Sequence, residues 1–136
     1  MTTVLFACVH NAGRSKMAEA FFNAAADPVR ARAISAGTQP AARPHPEVVA
    51  AMREVGISLE RSTPTFLSEE LARSAHLLVT MGCGEVCPFV PGLVRLDWNL
   101  EDPKGATAES VRAIRDEIRA RVTALIREHG WQRDAH

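Results

Sequence analysis

Residues 4–22 read VLFACVHNAGRSKMAEAFF, and this stretch decides the fold. Thr3 to Ala7 form a short apolar run, the pattern of a central parallel strand covered on both faces. Cys8 ends the run, and Arg14 follows six residues later. From Ser15 onward, Met17, Ala18, Phe21, Phe22 and Ala25 recur with a helical period that stops near Asp27-Pro28. Strand, short loop and helix therefore come in direct succession.

The same alternation continues outward. Ala33–Ala36 make a second short strand closed by Gly37. Pro44 and Pro46 introduce a helix whose stripe is Val48, Val49, Met52 and Val55, ending before Gly56. Ser68 is suited to cap a short helix, SEELAR, because its hydroxyl can satisfy free first-turn amides. His76–Met81 (HLLVTM) is the second strong buried-strand signal, and Leu93–Leu96 is a weaker one. A last helix runs from about Ala108 to Glu128, with Val111, Ile114, Ile118, Val122, Leu125 and Ile126 on one face. Right-handed crossovers between such strands give an α/β fold, a small parallel sheet of about four strands between helical layers. The chain shows no repeat or linker and reads as a single domain over 1–136, frayed after about residue 130.

The composition narrows the function. With 136 residues and 46% apolar content the chain can bury one core without staples. Zero net charge, with both signs interspersed, gives no footprint for nucleic acid or anionic membrane. No apolar stretch approaches the roughly 18 residues of a membrane span. MTTVLFAC lacks a basic segment followed by an apolar one, so no export signal is expected. Three cysteines, an odd number, fit reactive thiols in a reducing cytoplasm better than a disulfide framework.

Cys8-Val9-His10-Asn11-Ala12-Gly13-Arg14 is a C-x5-R loop at the carboxyl end of a strand, where open α/β sheets bind their ligands. A loop of this length can turn successive N–H groups of residues 9–14 toward one centre, forming a nest for a tetrahedral oxyanion. The dipole of the following helix adds positive potential. Arg14 can fork two donors onto two oxygens of the anion. The same field favours a nucleophilic thiolate at Cys8, to which Ser15 can donate while Asn11 braces the loop.

CVHNAGRS followed by KMAEAFF resembles the low-molecular-weight tyrosine phosphatase fold group, especially its arsenate-reductase branch. The resemblance extends to SAGT at 35–38, HLLVTM, the pair Cys83 and Cys87, WNLEDPKG at 98–105 and IRDEI at 114–118. Tyrosine phosphatases of the group usually carry Pro where Lys16 stands, and aromatic substrate-binding residues; this chain has no Tyr. By the resemblance, Asp102 is the general acid that protonates the leaving oxygen. Glu101 and Asp97 are rival acids.

For an arsenate reductase the resemblance implies a thiol relay. Cys8 attacks arsenate, Cys83 then attacks Cys8, and Cys87 attacks Cys83, leaving a Cys83–Cys87 disulfide. Gly82, Gly84 and Pro88 read as a mobile loop around the pair. An outside dithiol such as thioredoxin would reset it, with no tightly bound cofactor. The step of four from Cys83 to Cys87 is shorter than in thioredoxin-coupled relatives. The context also resembles relatives that use Cys8 alone with mycothiol or glutathione and a mycoredoxin- or glutaredoxin-like partner. A phosphatase, or an oxyanion-binding redox sensor, would use the same cradle, and phosphate or sulfate should mimic arsenate in it.

Some relatives bind potassium through residues matching Asn11, Glu19 and Ser35, and the resemblance leaves potassium open here; it is not predicted, because the fourth, acidic ligand is replaced near Thr65, and no metal ligand is assigned. Zinc at Cys83 and Cys87 lacks a second ligand pair. His10 reads as an exposed spacer, while His45, His76, His129 and His136 share no ligand spacing.

Overall fold

The computed structural model describes residues 1–82 and 91–133. Along the chain come β1 (Thr2–Cys8), α1 (Arg14–Ala25), β2 (Ala31–Gly37), α2 (Pro46–Glu54) and α3 (Glu69–Arg73). They are followed by β3 (Leu77–Thr80), β4 (Val94–Asp97) and α4 (Ala108–His129). The strands form one parallel sheet in the order β2-β1-β3-β4, the four-stranded α/β arrangement expected.

β1 explains the layering. Side chains alternate across a strand, so Val4, Phe6 and Cys8 enter one core while Leu5 and Ala7 enter another. The larger core takes Met17, Phe21 and Phe22 from α1, Val48 and Met52 from α2, and Ile118 and Val122 from α4. The smaller one takes Ala72 from α3 with Leu67 and Leu78. With both faces covered from Val4 to Cys8, that part of the strand is a continuous apolar run. Phe6 and Phe22 are wholly buried and meet edge-on at 6.0 Å. Truncating either to Ala should cost about 3–5 kcal/mol.

Several boundaries differ from the expected ones. β2 starts at Ala31, two residues early, because it pairs with β1 in unbroken register from Thr2↔Ala31 to Cys8↔Gly37. β4 is an edge strand with all four residues exposed, which is why its apolar signal was faint. Ser68 does cap α3, its Oγ accepting from Leu71 N at 3.0 Å. α4 is capped by Thr107, whose Oγ1 accepts from Ser110 N at 3.2 Å, and by Gly130 at φ +70°. Fraying does not begin at residue 130. Asp27 N donates to Trp131 O at 2.8 Å, and the Trp131 ring meets Phe22 at 5.9 Å. Among the described residues no helix is long and apolar enough to cross a membrane.

Candidate active site

Cys8 ends β1 beside Gly37 of β2, at the carboxyl edge of the sheet. A Cβ at Gly37 would lie 2.5 Å from Val9 O and 2.8 Å from Asn11 N, so only glycine lets the 9–13 loop rest there. The loop is then tied from outside. Thr38, Gln39, Ala41 and His45 donate their amides to the carbonyls of Cys8, Val9, His10 and Ala12 at 2.8–3.2 Å. In a trans peptide the N–H points opposite to the C=O, so the amides of Val9, His10, Asn11 and Gly13 turn to the inner side. Among the described residues none of these four amides donates to a backbone carbonyl. Inward amides above a helix N-terminus can hold a tetrahedral oxyanion.

A chain of fixed donors sets the proton arrangement at the thiol. The amide of Thr65 can only donate, and it gives its hydrogen to Asn11 Oδ1 at 2.8 Å. That orientation leaves Asn11 Nδ2 as donor to Ser15 Oγ at 2.7 Å. Ser15 Oγ lies 2.8 Å from Cys8 Sγ, and its own hydrogen is free to point at sulfur. All three side chains are buried. Asn11 is the one non-glycine residue with positive φ among the described residues, at +50°. That conformation aims its amide back across the loop.

Arg14 opens α1 and is 6% exposed. Its Nη1 donates to Leu100 O at 3.1 Å, and its Nη2 lies 3.7 Å from Asp102 Oδ2. Gly82, at φ +104°, packs against the guanidinium so closely that a Cβ would collide with it. The three candidate acids separate here. Asp102 stands beside Arg14, its side chain 43% exposed and Oδ1 accepting from Lys104 N at 3.0 Å. Asp97 is bound by Thr80 Oγ1 and by Arg95 Nε, and these hydrogen bonds, Thr80's first, hold its carboxyl below the usual range. Glu101 lines a groove shared with Ser110, Ile114 and Glu117 of α4 instead.

Two residues given no role from sequence belong to this site. The His45 ring lies 6.0 Å from the His10 ring, and a Cβ at Gly13 would come 3.6 Å from its Cδ2 and 2.8 Å from Pro103 Cγ. His45 Nε2 is buried with no hydrogen-bond partner among the described residues. Burial lowers the His45 pKa, partly offset by Glu47 and Asp102. Glu47 Oε1 accepts from Gly105 N at 3.0 Å, and that bond foremost lowers the Glu47 pKa. Residues 45–47 thus touch both the Cys8–Arg14 loop and the Asp102 loop. His10 is half-buried, its Nδ1 3.2 Å from Gln39 O.

The oxygens that the resemblance points to for potassium are engaged. Asn11 Oδ1 accepts from Thr65 N, while Glu19 Oε1 receives the Ser35 hydroxyl at 2.9 Å and the Lys16 ammonium at 3.4 Å. This set does not fit a potassium ion. No group of three His, Cys, Asp or Glu suited to a metal occurs among the described residues. Cys83 and Cys87 lie outside the described residues.

Residues 3–87 match the family described as Low molecular weight phosphotyrosine protein phosphatase. The chain is 33% identical over 129 residues to the glutaredoxin arsenate reductase of a Synechocystis species, spanning 93% of this chain and 97% of that protein. Among solved structures it resembles the arsenate reductase of Archaeoglobus fulgidus, with a TM-score of 0.79, 34% identity and coverage of 90% and 98%. It also resembles the thioredoxin-dependent arsenate reductase of Corynebacterium glutamicum, with a TM-score of 0.78 and 35% identity. That match covers 94% of this chain but 61% of the longer Corynebacterium chain. On the match over residues 3–87 and these relatives, the chain belongs to the low molecular weight phosphotyrosine protein phosphatase family, in its arsenate-reductase branch.

Proposed function

We propose that this protein reduces arsenate to arsenite as a single cytoplasmic domain spanning residues 1–136. One observation carries the thiolate chemistry, the Thr65–Asn11–Ser15 chain that reaches Cys8 Sγ, and the arsenate-reductase relatives point to arsenate as the oxyanion. A hydroxyl directed at sulfur favours thiolate, and thiolate is the nucleophile. The inward amides of residues 9–13 and the Arg14 fork would hold the oxyanion and gather charge in the transition state.

Cys8 thiolate attacks arsenic, forming an S–As bond as one oxygen leaves with a proton from Asp102. A second thiolate then attacks Cys8 Sγ. The S–As bond breaks with its electron pair going to arsenic, and arsenite departs. Two thiols lose two electrons, arsenic(V) gains them, and the displaced oxygen ends as water. We assign the second thiol to Cys83, which directly follows the Gly82 that packs on Arg14. Cys87 then takes the disulfide from Cys83 and frees Cys8. The relatives named thioredoxin-dependent and glutaredoxin arsenate reductases support an external thiol-redox protein as the final electron source.

Single-turnover arsenate reduction without reductant, followed by disulfide mapping, tests this. One arsenite per chain with a Cys83–Cys87 disulfide is expected. Arsenite only after a small thiol is added would restrict the protein's own chemistry to Cys8. No arsenite under any thiol, with brisk aryl phosphate hydrolysis, would make the protein a phosphatase.

A further inference from the structure

Lys16 is placed where a cation is hard to accommodate. It stands in the first turn of α1, at the positive end of the helix dipole, and that turn holds no acidic residue. It is also 5% exposed, so its ammonium is largely stripped of water. A charge so placed persists when a partner fixes it, and here the partner is Glu19 Oε1 at 3.4 Å. The same oxygen accepts the Ser35 hydroxyl of β2 at 2.9 Å. Asn11, the loop-bracing residue, keeps its oxygen on Thr65. The oxygens of Asn11, Glu19 and Ser35 thus include a single carboxylate, and Lys16 already neutralises it. An added alkali cation would bring a second positive charge to that one carboxylate with no further anion to balance it.

We infer that the Lys16 ammonium is a built-in replacement for an alkali cation behind the cradle. It pins Glu19, through Glu19 the Ser35 hydroxyl, and so ties the start of α1 to β2 beneath the thiol loop. Lys16 is a positioning residue: it holds the backbone that presents Asn11 and Ser15 and touches no reacting atom. The protein should therefore be indifferent to potassium, whereas removal of the ammonium should create a need for it.

Thermal unfolding of the full chain in potassium chloride and in choline chloride at equal ionic strength tests this without reference to the substrate. It therefore stands or falls apart from the reading as an arsenate reductase. Wild type should melt within about 1 °C in the two salts, a difference smaller than a single lost interaction produces. Lys16→Met, with Glu19 left unbalanced, should melt about 5 °C lower in choline chloride and regain half or more of that in potassium chloride. Lys16→Met/Glu19→Gln should recover in choline chloride and lose its response to potassium. A wild type stabilised by potassium over choline overturns the inference. So does a Lys16→Met protein whose loss potassium does not recover. If Lys16→Met fails to fold, Lys16→Gln is melted in its place, and the wild-type arm keeps its power to refute.

Discussion

The cradle and the acid loop face each other across Arg14, but they are held in opposite ways. The cradle is secured at almost every peptide: four carbonyls are tied to residues 38–45, Asn11 is bound at both ends of its amide, and Cys8, Asn11 and Ser15 are buried. The loop at residues 99–105 touches it through Leu100 O on Arg14 and Pro103 on Gly13, and is tied to the neighbouring α2 by Gly105 N on Glu47. Asp102 itself remains 43% exposed on its side chain. An anion site gains from dipoles fixed before the charge arrives, since no reorganisation is then needed during reaction. A proton donor must instead exchange its proton with water between turnovers, and so stays partly wet. Rigidity is concentrated where charge develops, and freedom is left where protons move.

The largest effect should come from loosening the cradle. Asn11→Ala removes one buried and one partly buried hydrogen bond and leaves the Thr65 amide and the Ser15 hydroxyl without their partner. We expect a loss of about 2–3 kcal/mol in stability, from the unpaired groups and an Ala held at positive φ. Turnover should fall about 10²-fold or more as Ser15 loses its orientation. Steady-state kinetics and urea unfolding on one preparation check both. Full activity with Asn11→Ala would mean that the Ser15 proton is not set by this chain.

The acid loop should show the reverse pattern, a loss of rate without a loss of fold. Asp102→Asn should lower kcat about 10²-fold, the worth of a positioned proton donor. Stability should stay within about 0.5 kcal/mol, as for an exposed site. Glu101→Gln should leave kcat near wild type, because Glu101 faces the α4 groove. If Glu101→Gln is the slower of the two, the acid has been assigned to the wrong carboxylate.

This division also decided what could be read without coordinates. β1, the loop and α1 were legible because the thiol, the amides, Arg14 and Ser15 lie within eight consecutive residues. A local motif therefore marks them in the sequence, although residues 38–45 and Thr65 hold the loop in place. Thr65 and Glu47 were not legible. The first acts through its backbone amide, 54 residues from Asn11, and the second binds an amide 58 residues away. Backbone groups leave no mark on residue identity. β4 was faint for another reason: an exposed edge strand needs no apolar face. Lys16 was visible only as a departure from the phosphatase pattern, and its burial against Glu19 gave that departure a meaning.

The smallest effect should arise where the two regions are joined. Glu47→Ala frees Gly105 N and should lower kcat severalfold, about 1 kcal/mol or less of positioning. KM should change little, because the cradle is untouched. Glu47→Gln retains an oxygen for Gly105 and should restore most of the rate near neutrality. Acid should weaken the joint in two stages, since both titrating groups have lowered pKa values in the fold. His45, held down by burial, contributes stability that declines as pH falls below its ordinary 6.5 toward the lowered value. Glu47, held down by the Gly105 amide, contributes above its ordinary 4.5 and loses that as pH falls through its lowered value. Unfolding free energy measured from pH 7 to 3 should therefore fall less steeply below pH 4.5 in Glu47→Gln than in wild type. Parallel curves would show that the carboxylate charge adds nothing to the joint, leaving Pro103 against Gly13 and Leu100 on Arg14 to hold the acid in place.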